Sequence, residues 1–131
     1  MSGENLAGQS INEGVQVWVA GFGFDGTSIQ GVWSRLFQSD FPNDIRVNKV
    51  FILPNINEEI REAARSMVPP SYFDQTFLIF DPGQKWRTLL RPTEQPGFAA
   101  IIERNRIPLL MTGPPTEDAW EEFQREWKLR T

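Results

Sequence analysis

The sequence predicts an α/β fold, a three-layer sandwich in which helices cover both faces of a mixed sheet. Three observations carry that expectation. Short β-branched runs alternate along the chain with stretches whose apolar residues recur at helical spacing, so strands and helices should succeed one another. Near the carboxyl end, two strand-like runs follow each other with only a tight polar turn between them, which adds antiparallel pairing to the sheet. The chain has 131 residues, is 40% hydrophobic and carries five Trp and ten Phe, enough for one core and too little for two.

Residues 1–13 are polar, Gly-containing and aperiodic, and are expected to form a flexible amino-terminal segment ahead of a single domain over 14–131. "VQVWVAGF" (15–22) is short, β-branched and closed by glycines, which reads as a buried strand. The period then changes: Thr27 or Ser28 can cap a helix, and Ile29, Val32, Trp33, Leu36 and Phe37 form one stripe that Pro42 ends. "RVNKVFILPNI" returns to a strand, with "VFIL" as a run apolar on both faces. Asn57 caps a second helix whose stripe is Ile60, Ala63, Ala64, Met67 and Val68, stopped by Pro69 and Pro70. "TFLIFD" (76–81) is a third strand. "GQKWRTLLRP" could pair back as a hairpin partner or form a short helix with Asp81 as its cap and Trp86, Leu89 and Leu90 inward; the clearer hairpin further on favours the helix. "FAAIIE", the turn "RNR" and "IPLLMTG" form a hairpin, and Pro108 places its second strand at a sheet edge. Thr116 caps the last helix, Glu117 and Asp118 suit its positive end, and Ala119, Trp120, Phe123 and Trp127 mark its buried face. The expected order is β-α-β-α-β-α-β-β-α.

Seventeen acidic residues against thirteen basic ones give a net charge of −4, which disfavours nucleic acid as a partner. No apolar stretch approaches the roughly 18–20 residues of a membrane-spanning helix, and no basic segment followed by an apolar one begins the chain. A soluble protein without signal peptide or transmembrane segment is expected, its compartment left open. Composition is most informative in what it lacks, since there is no Cys and no His. Disulfide exchange, thiolate attack and Cys-ligated metal are therefore closed to these residues, and so is imidazole general-base chemistry. Catalysis would have to rest on carboxylates such as Asp25 or Asp81, on Lys or on Tyr; no enzyme and no cofactor is expected.

Gly21, Gly23 and Gly26 match G-x-G-x-x-G, the spacing of a dinucleotide-binding turn. Their context does not match. The helix begins after Gly26, Phe22 and Phe24 crowd the place of the phosphates, and "ILPNIN" offers no acid until Glu58. No Lys-Ser or Lys-Thr follows, which excludes a Walker A loop. A plain strand-to-helix turn is the expectation. The alternative is a small-anion or nucleotide site using the backbone of Gly23, Gly26, Thr27 and Ser28. Ser28 lies three residues after Asp25, but a Ser-His-Asp triad cannot be assembled without histidine. Glu117/Glu121 and Asp118/Glu122 sit at i, i+4 on the last helix and read as a solvated acidic face.

The order of elements, together with "PGFAAIIERNRIPLLMTGPPTEDAWEEF", resembles the carboxy-terminal half of the thioredoxin-like superfamily: a proline before a strand, a tight turn, an antiparallel partner, then a Gly and a polar cap before the last helix. Pro96, Phe98 to Glu103, Ile107 to Thr112, Gly113 and Thr116 stand where this pattern puts them. "FGFDGTS" takes the place of the redox loop, with Asp25 and Ser28 at the spacing of the two cysteines. More narrowly, "VPPSYFDQTFLIFD" and the hairpin are similar to the branch that includes mitochondrial ATP-synthase assembly factors and their bacterial relatives. The resemblance implies a redox-inactive scaffold kept for protein binding, an assembly factor or accessory subunit. It also implies that an extended peptide would lie in a groove carrying Phe22, Phe24, Asp25, Pro96 and Phe98. Pro96 stands one residue further from its strand than the superfamily's cis-proline, because Gly97 intervenes.

Overall fold

The computed structural model describes residues 4–9, 14–24, 27–40, 46–86, 96–104 and 106–130. Its elements are β1 (Glu4–Asn5), β2 (Val15–Phe22), α1 (Thr27–Asp40), β3 (Val47–Leu53), α2 (Glu58–Met67), a 3-10 turn over Pro70–Gln75, β4 (Thr76–Phe80), β5 (Gly97–Glu103), β6 (Arg106–Thr112) and α3 (Glu117–Arg130). Six strands form one sheet in the order β1-β4-β3-β2-β5-β6. β2, β3 and β4 run parallel, while β5, β6 and β1 are antiparallel to their neighbours, so the sheet is mixed as the sequence predicts.

Alternation along the strands sends two sets of side chains to opposite faces. On one face Val17, Val19, Ala99 and Ile101 pack against Ile29, Trp33 and Phe37 of α1 and Phe123 and Trp127 of α3. Further along that face Phe51, Leu53 and Leu78 receive Ala64 of α2. The other face gathers Trp18, Ala20, Val50, Ile52, Phe77, Ile79, Phe98 and Ile102. Trp86 lands there, 5.5 Å from Phe98 and nearly parallel to it. Lys85 and Trp86 are helical, as expected of the third helix; Leu89 and Leu90 lie outside the described residues. Asp81 caps this start, its carboxylate accepting from the Lys85 and Trp86 N–H groups at 3.0 and 3.1 Å.

Other local expectations hold for the reasons that motivated them. Asn57 Oδ1 accepts from the Ile60 N–H at 2.9 Å, and Thr116 Oγ1 from the Ala119 N–H at 3.1 Å. β6 is an edge strand, and its register slips near Pro108, between Ile101 and Glu103 of the partner, because proline offers no N–H to the ladder.

Four expectations change. Within the segment expected to be flexible, residues 4–9 are folded onto the sheet. Leu6 is buried, its N–H donates to the Phe73 and Thr76 carbonyls, and Asn5 accepts from the Ala7 and Gln9 N–H groups and donates to the Asp74 carbonyl. One buried leucine and one asparagine that closes a local turn are sufficient, with no periodicity to reveal them. β5 begins at Gly97 rather than Phe98, so Pro96 directly precedes the strand. In α2, Ala64 is buried but Ala63 and Met67 are exposed, which narrows the stripe. Arg106 already belongs to β6 and pairs with Glu103, so the hairpin turn is shorter than "RNR", with Arg104 at φ +55°.

Candidate functional site

Because β2, β3 and β4 are parallel, their carboxyl ends lie side by side, and the turns that leave them enclose a cleft. Its volume is about 260 Å³, lined by Phe22 and Gly23 at the end of β2, Ile52, Leu53 and Pro54 at the end of β3, and Asp81 and Gln84 after β4. The turns are tied to one another by backbone bonds. Phe22 N–H donates to the Pro96 carbonyl, Gly23 N–H to the Ile52 carbonyl, and Asp81 N–H to the Leu53 carbonyl at 2.7 Å. Gly23 holds φ +64°, which glycine adopts without steric cost. Gln84 holds φ +54° and closes the Asp-Pro-Gly-Gln turn through its N–H to the Asp81 carbonyl. Pro54 and Gln84 are exposed. The first turn of α1 ends the β2 connection, with Thr27 half-buried and Ser28 exposed.

The residues expected to bind a partner divide here. Phe98 is fully buried and Phe22 nearly so, both within the core face and 5.9 Å apart. Neither ring is an exposed apolar tip, because the strand alternation that reaches Trp18 and Ala20 continues through Phe22. Phe24 is half-buried, edge-on to Phe51 at 5.0 Å. Pro96 is half-buried and contributes its carbonyl to Phe22. Asp25 and Gly26 lie outside the described residues. Pro54 and Gln84 were not singled out in the sequence, although "DPGQ" is a turn signal that would have brought Gln84 to attention.

The anion alternative loses a donor. The N–H of Gly23 is engaged by Ile52 and is not turned toward a ligand, and Gly21 is a strand residue paired with both Phe51 and Gly97. Asp81 is committed to capping the helix start. Among the described residues no group of three acidic side chains could hold a metal ion, and no helix is long and apolar enough to cross a membrane.

Sheet order, the strand-to-helix turn after β2 and the proline before β5 define a thioredoxin-like fold. Comparison with solved structures agrees. The pneumococcal exposed lipoprotein thioredoxin Etrx1 from Streptococcus pneumoniae superimposes with a TM-score of 0.60 at 10% identity, over 96% of this chain and 98% of that one. A putative thiol:disulfide interchange protein DsbE from Chlorobium tepidum gives 0.57 at 16% identity, over 100% and 93%. BsSco, of the Sco family of cytochrome c oxidase assembly proteins, gives 0.59 at 9% identity, over 98% and 90%. No protein-family model matches the chain, and no curated protein matches it. Without a cysteine, the chain's own residues cannot carry out thiol–disulfide exchange.

Proposed function

We propose that the chain is a non-catalytic, thioredoxin-like interaction domain that holds an extended segment of a protein partner in the cleft at the carboxyl ends of β2, β3 and β4, as an assembly factor or accessory subunit of a larger complex. The observation that carries this reading is the cleft itself, which takes in Phe22 and Gly23 at the start of the segment that resembles a redox loop and is lined with no sulfur. The exposed Pro54 and Gln84 at its rim, beside the apolar Ile52 and Leu53, give the cleft apolar contact with a polar border, a surface suited to an extended peptide. An assembly role has a precedent on this fold in the family of BsSco, and the similarity of "VPPSYFDQTFLIFD" to ATP-synthase assembly factors points the same way.

The test uses rim residues whose replacement spares the core. A Pro54→Arg/Gln84→Arg variant is expected to keep its unfolding midpoint within about 0.5 kcal/mol of the parent and to lose the partner that co-purifies from the native host. A photo-cross-linker at Gln84 should label that partner, whereas one at Leu129, exposed on α3, should not. Retention of every partner by the rim variant, with labelling only from Leu129, would refute the reading.

A further inference from the structure

A second cleft lies at the sheet edge formed by β1 and β4, closed by the β3–α2 connection and by α2. It measures about 430 Å³, within the range of small-molecule sites. Its floor is apolar: Leu6, Ile56 and Leu78 line it, and Phe80, 56% exposed, is its largest uncovered ring. Two guanidiniums, Arg61 and Arg65, line it from α2 at i, i+4 and therefore on one helix face. Glu4 is the one acid among the lining residues, while Glu58 and Glu62 reach the two guanidiniums from the solvent side of α2.

The arginines are held but not saturated. Arg65 meets Glu58 and Glu62, both well exposed, and Arg61 reaches Glu58 only at 4.0 Å. Surface pairs of this kind exchange readily with other anions, and a guanidinium offers a fork that a second carboxylate can enter. From an apolar floor under a cationic rim, we infer that this cleft is a binding site for a small amphiphilic carboxylic acid, its carboxylate on Arg61 and Arg65 and its apolar body over Ile56, Leu78 and Phe80. The site shares no lining residue with the cleft proposed for the protein partner.

Titration of the folded chain with 4-phenylbutyrate, followed by amide NMR and calorimetry, tests this. Saturable binding with shifts confined to β1 and the turn after it, the end of β4, the β3–α2 connection and α2 is expected, and 4-phenylbutyramide should bind roughly tenfold more weakly for want of the charge-assisted bonds. Arg61→Gln should weaken the acid by a similar factor. Glu62→Gln should tighten it, because Arg65 loses the nearer of its two competing carboxylates, a change that mere damage to the helix would not produce. Gln84→Arg should leave it unaltered. Equal affinity for acid and amide, no saturable binding, or binding by a Gly-Gly-Phe peptide but not by the free acid would each overturn the inference.

Discussion

A methyl group on Gly97 would stand 2.7 Å from the Ala20 carbonyl oxygen and 3.4 Å from two carbon atoms of Ile29. Both neighbours are held, one in the β2 backbone and the other in the first turn of α1 where it packs on the sheet, and the closer of them is backbone that no side-chain rotation can move. Gly97→Ala is expected to cost about 1–3 kcal/mol, read from the denaturant midpoint; an unchanged midpoint would mean that β2 and β5 separate more easily than their ladder suggests. Lys49 is the converse case, a polar residue that burial penalises. It lies in β3 with its ammonium 5.6 Å from the Phe51 ring centroid and has no ion pair among the described residues, and desolvation holds its pKa below the ordinary 10.5. The unfolded chain then binds this proton more tightly than the native one, so stability rises with pH between the lowered value and 10.5, and the penalty is present in full below that window. Lys49→Met should raise the midpoint at neutral pH and flatten its rise in alkali; a pH profile identical to the parent's would contradict this. Gln30 shows how a residue hides from sequence reading. It stands next to Ile29 but outside the apolar stripe of α1, yet it is fully buried, donating to the Val19 and Val50 carbonyls at 3.1 and 2.9 Å. Periodicity sees only that it is polar, not that two backbone acceptors wait beneath it.

Elements whose limits are set by local chemistry were legible in the sequence. β2 spans Val15–Phe22 as its composition indicates, and α2 starts after the Asn57 cap. What was missed belongs to two kinds. β1 is two residues long and exists only because β4 offers an open edge, a tertiary cause with no local trace. The turn over Pro70–Gln75 begins at the second member of a Pro-Pro pair that reads as a terminator, whereas a 3-10 turn accepts proline at its start. Asp81 matters most at this scale. Its carboxylate satisfies two N–H groups that the helix beginning at Lys85 leaves open, and this cap also fixes the turn that lines the cleft. Asp81→Ala should cost about 1–2 kcal/mol in unfolding free energy, with Asp81→Asn falling between, since its single acceptor oxygen can keep only one of the two bonds. An Asp81→Ala variant as stable as the parent would show that the cap does not hold the turn.

At the scale of the whole molecule, the alternation of strands and helices with a closing hairpin was sufficient to indicate the fold, because each segment's local preference agrees with its place in the sheet. The site was less legible. Its lining comes from the ends of three strands distant in sequence, and which side chains face the cleft depends on strand phase, so Phe22 and Phe98 turned inward while Gln84 came to the rim. The two borders of the sheet are defended unequally. β6 carries a proline, a register slip and arginines at its turn, all deterrents to added strands. β4 is shielded by the brief pairing of Glu4 and Asn5 with Leu78 and Phe77. Proteolytic clipping after Gln9 would therefore strip a row of amides beside an uncovered Phe80, and such a product should show light scattering that grows with concentration. Intact chains, by the same measure, should stay dispersed, with Glu4 and Asn5 as a stopper against ribbon-like growth of one molecule upon the next.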